Sequence, residues 1–313
     1  MRRFVVTLFY VLGCYTATSY ASPGTAETFG AWSAPVNAGP LLNTPFNDNY
    51  AVLSRDELTI YFTSDRPGGL GGDDLWFATR ESVDSPWQAP LNMGATINTA
   101  ATESLPFLSS NEHVLYFYST RATGSCGSGD IWMTRRRNKH ADWEEPANLG
   151  CVLNTPADEI APSFFEDPET EQAWLFYGSN RPGGIGQPGG IADYDVYASP
   201  LGEDGFAGPG LLIREFSSPA RDTRIFIRKD GLEALITSNR PGGQGGLDIW
   251  VSTRDTLSDP WPAPTGLAGV DSPSNDGSPS LSKDGTTLYF FSDRPGGSGK
   301  RDIWYTTRLK LTE

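Results

Sequence analysis

The stretch S-D-R-P-G-G at residues 292–297, followed by D-I-W at residues 302–304, decides the fold because the chain repeats it. The same pattern, with substitutions, begins at positions 64, 119, 179 and 238, and its arginine stands at positions 66, 121, 181, 240 and 294. Successive arginines are therefore 54 to 60 residues apart. A fixed period of this length indicates one structural unit that occurs five times.

The second repeat shows what one unit contains. Four short segments of apolar, β-branched and aromatic residues, at 105–109, 114–118, 130–134 and 143–149, are separated by turns and predict four strands. The 35 glycines and 24 prolines interrupt every window, and no apolar stripe recurs at helical spacing. Five such units predict an all-β fold, a five-bladed β-propeller with four antiparallel strands in each blade.

The order of the strand signatures predicts how the ring closes. A W-x-x-P pattern, with Phe206 in place of the tryptophan in the third unit, marks the fourth strand, and its first copy, beginning at Trp32, precedes every other element. The last unit ends after its third strand, near Arg308. We therefore expect the N-terminal segment to supply the fourth strand of the last blade, which removes the exposed sheet edges. Residues 22–313 then form a single propeller domain.

The first 21 residues have the pattern of a signal peptide. Two arginines precede a short apolar stretch, and small residues lead to an expected cleavage after Ala21. The alternative is a lipoprotein signal, because V-L-G-C at residues 11–14 approximates a lipobox that would carry a lipid anchor on Cys14. No segment is long enough to span a membrane. Both interpretations predict a periplasmic or secreted protein.

Charge and composition limit the partners. The formal net charge of −14 opposes binding to nucleic acid or to an anionic membrane. It is compatible with cations, neutral glycans or basic protein partners, or simply with solubility of an exported chain. The two histidines, His113 and His140, have no neighbours with metal-ligand spacing, so we expect no metal. We also expect no cofactor and a monomeric protein.

Two cysteines remain beyond the signal segment. Cys126 lies in the loop after the second strand of the second unit, and Cys151 follows the fourth strand of the same unit. In a four-stranded meander both positions lie on one face of the ring. An exported protein meets an oxidising compartment, so we expect a disulfide between them, with two free thiols as the alternative.

The motif, together with the K-D-G turns at residues 229–231 and 283–285, resembles the TolB-like β-propeller repeat of exported bacterial proteins. The resemblance covers all five units and implies the propeller fold. Within that family the repeats occur in periplasmic scaffold proteins, beside peptidase domains and in some carbohydrate-active enzymes. The chain departs from the Tol-system protein, which has six blades and an extra N-terminal domain. It also has no G-x-S-x-G nucleophile motif, which argues against the peptidase branch.

A ring of carboxylates is the main candidate site. Each unit has an acid at the start of its first strand, in a position that should lie at the channel mouth near the motif arginine. The acids are Asp48, Glu103, Glu159, Asp222 and Asp276, and the arginines are Arg66, Arg121, Arg181, Arg240 and Arg294. In one interpretation the pairs are structural and tie neighbouring blades together. In the other, some carboxylates stay unpaired and bind a ligand or serve as acid and base in glycoside hydrolysis.

Two further repeated positions have structural interpretations. An acid begins each third strand and should cap its own glycine loop through backbone N–H groups. The aromatic residue two positions later should fill the space between blades. The acids are Asp74, Asp130, Asp195, Asp248 and Asp302, and the aromatics are Trp76, Trp132, Tyr197, Trp250 and Trp304.

Departures from the repeat indicate where a specific function could lie. The third unit has the longest glycine loop, at residues 182–193. The fourth carries Arg221, Arg224 and Arg228 around Asp222, which could receive an acidic sugar or another carboxylate. The alternative is salt pairing with Glu215 and Asp222. We expect a non-catalytic propeller that binds a protein or glycan at the channel mouth. The rival is a glycoside hydrolase or polysaccharide lyase that uses the channel-mouth carboxylates.

Overall fold

The computed structural model describes residues 27–185 and 194–311, and the described residues form the predicted five-bladed propeller. The chain begins with β1 (Thr28–Phe29) and β2 (Val36–Asn37). Blade 1 then contains β3 (Asp48–Leu53), β4 (Thr59–Ser64), β5 (Asp74–Thr79) and β6 (Leu91–Asn92). Blade 2 contains β7 (Glu103–Leu108), β8 (Val114–Ser119), β9 (Asp130–Arg135) and β10 (Ala147–Asn148).

The remaining blades repeat this order. Blade 3 contains β11 (Glu159–Glu166), β12 (Ala173–Ser179), β13 (Asp195–Pro200) and β14 (Leu211–Leu212). Blade 4 contains β15 (Asp222–Ile227), β16 (Glu233–Ser238), β17 (Asp248–Thr253) and β18 (Thr265–Gly266). Blade 5 contains β19 (Asp276–Leu281), β20 (Thr287–Ser292), β21 (Asp302–Thr307) and the N-terminal β2, and β22 (Lys310–Leu311) follows it.

The predicted closure is confirmed. β2 pairs antiparallel with β21, with Val36 opposite Tyr305 and Asn37 opposite Trp304. A second pairing, Thr28 opposite Leu311 between β1 and β22, was not predicted. The fourth strands are shorter than expected, because the W-x-x-P segment precedes each of them and only two residues then pair. Proline has no amide hydrogen to donate, which fits a segment that stays outside the ladder.

Every innermost strand contains a β-bulge. The register shifts after the second residue of β3, β7, β11 and β19, and after the first residue of β15. At the third position Tyr50, Leu105, Ala161 and Ser278 have φ between 55° and 57°. A bulge leaves one residue unpaired and redirects its side chain, so the strands change their side-chain alternation at one common level of the channel.

The hydrophobic core lies between adjacent sheets. Trp76 of blade 1 packs in one cluster with Tyr289 and Ile303 of blade 5, while Trp132 of blade 2 packs with Leu75 of blade 1. The five recurring aromatics are only 5–7% exposed, which confirms their predicted place in the inter-blade core.

The N-terminal predictions fall outside the described part of the chain. Both the signal segment, residues 1–21, and Cys14 belong to residues 1–26, which are not described. Among the residues that are described, no helix is long and apolar enough to cross a membrane.

Candidate binding site

Two faces of the ring must be distinguished. The loop face carries the glycine-rich loops between second and third strands, for example residues 65–73 and 293–301. The hairpin face carries the turns between first and second strands, at residues 54–58, 109–113, 167–172, 228–232 and 282–286. The central channel has one mouth on each face, because the innermost strands run between them.

The five repeated carboxylates are not ligand groups at the loop-face mouth. All five are 0% exposed. Each forms an ion pair with its motif arginine, with N–O distances of 2.5 Å for Arg66–Asp48, 3.2 Å for Arg121–Glu103 and for Arg181–Glu159, and 2.6 Å for Arg240–Asp222 and for Arg294–Asp276. The interpretation in which they face a ligand is therefore wrong, because the carboxylates are buried and their oxygens already accept hydrogen bonds from side chains of the protein.

The pairs also do not bridge two blades directly. Asp48 begins the first strand of blade 1, and Arg66 follows the second strand of the same blade. Asp48 additionally accepts hydrogen bonds from Ser64 Oγ at 2.6 Å and from the Thr44 amide at 2.5 Å, while Arg66 donates to the Leu42 carbonyl at 2.5 Å. The ion pair therefore fixes the crossover, which is the segment that leads from the last strand of one blade to the first strand of the next.

A neighbouring asparagine makes the contact between blades. Asn43 accepts a hydrogen bond from the Ile303 amide at 2.8 Å and donates to the Ile303 carbonyl at 2.9 Å. Asn98 makes the same pair of bonds with Leu75, and Asn154 makes it with Ile131. The inter-blade tie predicted for the arginines is thus made by these side-chain amides on the crossovers.

The third-strand acids cap their glycine loops as predicted. Asp130 accepts hydrogen bonds from the amides of Cys126 at 2.5 Å and Gly127 at 3.1 Å. Asp302 accepts from Gly299 at 3.0 Å, and Asp195 accepts from Ile185 at 2.9 Å. These acids hold the loops and are not free for chemistry.

The two cysteines are joined. Cys126 and Cys151 form a disulfide with a sulfur–sulfur distance of 1.99 Å and a sequence separation of 25 residues. It links the glycine loop of blade 2 to the crossover that leaves that blade. A cross-link of this kind reduces the conformational entropy of the unfolded chain and thereby stabilises the folded protein.

Two crossovers lack the asparagine. Ser217, between blades 3 and 4, accepts a hydrogen bond from the Val196 amide at 3.0 Å, and Asp271, between blades 4 and 5, accepts one from the Ile249 amide at 2.9 Å. Burial, followed by the charges of Asp248 and Asp276, raises the pKa of Asp271 to about 7. An ionised carboxylate can accept from Ile249 but cannot donate to its carbonyl as an amide does.

Among the described residues, Asp248, Asp271 and Asp276 are the group of acids whose arrangement most resembles a metal site. One ligand oxygen from each of Asp248, Asp271 and Asp276 lies within 4.8 Å of the others. Asp276 is already bonded to Arg294 and to Ser272, and Asp248 accepts from the Gln244 amide at 3.1 Å. Asp248 and Asp276 already accept hydrogen bonds from groups of the protein. The repulsion between the three acids is therefore better relieved by a proton on Asp271 than by a bound cation.

The three arginines of blade 4 do not form a cluster. Arg228 pairs with Asp230 at 2.7 Å and with Glu233 at 2.6 Å, and Arg221 lies 4.6 Å above the ring of Tyr194. Arg224 pairs with no carboxylate among the described residues. Both predictions for this trio, a shared anion site and salt pairing with Glu215 and Asp222, are therefore wrong.

Arg224 lies inside the channel. It is 1% exposed, and its Nη2 donates to the carbonyl oxygen of Pro106 at 3.0 Å. Its guanidinium carbon lies 5.3 Å from the ring centroid of Phe107, and its Nε and Nη1 have no partner in the described residues. Burial lowers the pKa of Arg224 to about 10. The channel is thus closed midway by a buried cation.

A hollow of about 430 Å³ occupies the channel mouth on the hairpin face. We call it the hairpin-face hollow. The ends of all five innermost strands line it, and its aromatic part consists of Phe107, Phe164, Phe165 and Phe226. Phe107 and Phe226 meet across the channel with ring centroids 6.0 Å apart. Phe164 and Phe226 are only partly buried, so they offer apolar surface to a ligand.

A second hollow, of about 380 Å³, lies on the loop face and is polar. Asn49, Tyr50, Asp73 and Arg301 are among its lining residues. The Arg301 Nη1 donates to the hydroxyl of Tyr50 at 3.2 Å. Burial first, and then the charge of Asp65, raises the pKa of Asp73. A raised pKa favours the protonated form of a carboxyl group, which is one requirement of general acid catalysis.

A larger groove, of about 620 Å³, lies between blades 1 and 2. Most of its charged side chains are engaged in ion pairs. Lys139 lies 3.0 Å from Asp56, Arg80 lies 3.8 Å from Glu57, and Arg136 lies 3.9 Å from Glu112. The groove therefore presents fewer unpaired groups than the hairpin-face hollow does.

The hairpin-face hollow was not predicted from the sequence. A signal was present, because Phe107 and Phe226 both stand two residues after the bulged position of their first strands, and three hairpins carry a cation directly beside the channel. The repeated motif drew attention to the opposite face, where its regularity proved to be architectural.

Comparison with known proteins supports the fold. No protein-family profile and no curated protein matches the sequence. The structure is similar to an endo-arabinase from Bacteroides thetaiotaomicron, with a TM-score of 0.57, 14% identity and coverage of 89% of this chain and 99% of that chain. It is similar to the GH43 protein BlXynB from Bacillus licheniformis, with a TM-score of 0.52, 14% identity and coverage of 89% and 54%. This chain spans about half the length of BlXynB.

A structure described as a putative TolB from Agrobacterium tumefaciens also matches, with a TM-score of 0.49, 14% identity and coverage of 91% of this chain and 100% of that chain. The similarities to the endo-arabinase and to BlXynB, both at 14% identity, support the propeller fold alone. The TolB-like family assignment stays a prediction.

Proposed function

We propose that this chain is an exported, non-catalytic propeller that binds a segment of a partner protein in the hairpin-face hollow. The observation that carries the proposal is the set of partly exposed phenylalanines, Phe164 and Phe226, in a hollow lined by all five blades. An apolar pocket with a few convergent polar groups is the usual form of a binding site. Aromatic side chains inserted into such pockets contribute much of the binding energy of protein interfaces.

The absence of free catalytic acids in the repeated motif supports a binding role. Glycoside hydrolysis needs two carboxyl groups that can reach the scissile bond. The acids that the sequence offered for this task are buried and paired with arginine in every blade. The hairpin-face hollow can bind a ligand without any of them.

Selection from a displayed random-peptide library tests the proposal. Peptides selected on the wild-type protein should lose binding, by about tenfold or more, to the variants Phe164→Ala and Phe226→Ala. Leu91→Ala is the matched control, because Leu91 is 59% exposed on an outermost strand. If the selected peptides bind all three variants equally well, the partner docks elsewhere and the proposal is overturned.

A second candidate function is a carbohydrate-active enzyme on the loop face. The raised pKa of Asp73, in a polar hollow that also contains Tyr50 and Arg301, favours it. In this alternative Asp73 donates the proton to a glycosidic oxygen. Reducing ends released from a polysaccharide panel, abolished by Asp73→Asn and retained by the exposed control Asp84→Asn, would support it. If no polysaccharide is cleaved, this alternative is excluded.

A further inference from the structure

The rim of the hairpin-face hollow carries unpaired positive charge. The second residue of the hairpin is Arg55 in blade 1, Lys229 in blade 4 and Lys283 in blade 5, and all three line the hollow. They are exposed, and none makes an ion pair within the described residues. Three adjacent blades, 4, 5 and 1, thus form a cationic arc on a chain whose formal net charge is −14.

The opposite side of the rim is acidic. Blade 3 has a longer hairpin, at residues 167–172, and contributes Glu166, Asp167 and Glu171 to the hollow. Glu166 accepts a hydrogen bond from Ser110 Oγ at 2.5 Å. Asp167 accepts from its own turn, at 2.9 Å from the Glu169 amide. Glu112 of blade 2, which also lines the hollow, lies 3.9 Å from Arg136. The acids of the mouth thus lie on blades 2 and 3 and the three cations on blades 4, 5 and 1, so the charge of the rim is divided between two sides.

The depth of the hollow limits the shape of its occupant. Arg224 closes the channel behind Phe107, with its hydrogen bond to Pro106 O at 3.0 Å. A long acyl chain would need a continuous tunnel, and the channel does not provide one at this level. The hollow accommodates short, bulky apolar groups, and Arg224 places a further positive charge behind the aromatic floor.

We propose that the occupant is a polypeptide segment with a large apolar side chain flanked by acidic residues. The apolar side chain packs on Phe164 and Phe226, and the acidic flank lies on the arc of Arg55, Lys229 and Lys283. The blade 3 acids repel a second acidic flank and orient the segment across the mouth. This inference rests on the proposed function and adds the charge and direction of the partner segment. Opposite charges across an interface increase association rate and specificity.

Three fluorescent peptides with the same central Phe-Leu pair test the inference. One has acidic residues on a single flank, one has lysines at those positions, and one has serines throughout the flanks. Anisotropy titrations should give the acidic peptide about tenfold tighter binding than the serine peptide at low salt, with most of the difference lost at high salt. The lysine peptide should bind most weakly.

Matched variants locate the effect. Lys283→Glu should remove most of the preference for the acidic peptide, because it reverses one charge of the arc. Lys300→Glu makes the same change in net charge on the loop face, where Lys300 lines the other hollow, and should leave the preference intact. Decanoate, added as a competitor with an apolar chain and one carboxylate, should displace the acidic peptide poorly.

The outcomes separate the two proposals. If none of the three peptides binds, the proposed function fails together with the inference. If all three bind with the same affinity, the hollow binds peptides but the charge inference is wrong. If the lysine peptide binds most tightly, or if Lys300→Glu abolishes the preference as fully as Lys283→Glu does, the inference is overturned. If decanoate binds more tightly than the peptides, a fatty acid replaces the protein segment as occupant.

Discussion

Arg224 Nη2 and Pro106 O lie 3.0 Å apart although they belong to blades 4 and 2, which are not neighbours in the ring. The hydrogen bond therefore spans the central channel. It satisfies only one of the donor atoms of the guanidinium, since Nε and Nη1 have no partner in the described residues. A buried charge without a counter-ion is costly, so this contact is retained at the expense of stability.

Arg224→Met should therefore keep or increase the stability of the protein. Methionine fills a similar length without a charge, and replacement of buried ions by apolar residues is often neutral or stabilising by about 1–4 kcal/mol. Urea unfolding monitored by tryptophan fluorescence measures the change. Arg224→Ala is the comparison, because it also removes the charge but leaves a cavity and should destabilise. A marked loss of stability in Arg224→Met would mean that the cation is paired in solution.

The motif arginines should be equivalent and important for stability. In Arg66→Ala and Arg294→Ala a fully buried aspartate loses its counter-ion, which should cost about 3–5 kcal/mol in each case. Both partners, Asp48 and Asp276, are 0% exposed. Thermal unfolding should show similar, large decreases in Tm. Arg55→Ala, at an exposed position, should leave Tm nearly unchanged, and unequal effects of the two motif variants would contradict the architectural role.

Asp271→Asn should stabilise the protein at neutral to alkaline pH. The folded-state pKa of Asp271 is raised from 3.8 to about 7, so the folded protein binds this proton more tightly than the unfolded chain does. The contribution of Asp271 to stability is therefore lost as the pH rises through about 7. The asparagine restores a donor to the Ile249 carbonyl, and we expect a gain of about 1–3 kcal/mol near pH 8 that shrinks towards pH 5.

The reciprocal substitution is the control for this pH dependence. Asn98→Asp places a carboxylate against the amide and carbonyl of Leu75, where Asn98 now makes both hydrogen bonds. It should lose stability as the pH rises, in the direction opposite to the gain in Asp271→Asn. Denaturant curves for both variants at several pH values decide the matter, and parallel pH profiles for wild type and Asp271→Asn would refute the assignment.

Removal of residues 30–40 should abolish cooperative unfolding. This segment contains β2, the only fourth strand that blade 5 has in the described structure. Its loss exposes the edge of β21 and opens the ring, so calorimetry should show a broad transition at lower temperature. A truncated protein that melts as sharply as the intact one would show that the closure contributes little.

The sequence predicted the blades because their residues repeat. The D-I-W segment and the W-x-x-P pattern indicated the number of strands and the place of closure, which β2 and β21 confirm. Burial of the carboxylates could not be predicted in the same way. Asp48 and Asp73 are both acids near loop-face turns, and only the three-dimensional placement of Arg66 and Thr44 distinguishes the engaged one from the other.

The candidate site escaped prediction because it has no motif. Phe107, Phe164 and Phe226 come from three different blades, and each looks like an ordinary core residue of its own strand. The bulge at the third position changes the alternation of the innermost strands, so period-two reasoning fails there. The sequence shows Arg224 as a departure from the repeat in blade 4. It does not show that the side chain reaches Pro106 on the other side of the channel.

The pairing of Asn37 with Trp304 has a consequence for how the protein reaches its folded state. These residues are far apart in the sequence, so the ring cannot be completed until β21 has been synthesised. During synthesis blade 5 must remain open while the earlier blades already have all their strands. A ribosome that stalls before β21 is complete would release a chain whose β2 has no partner and whose sheet edges are unprotected, which exposes such fragments to aggregation.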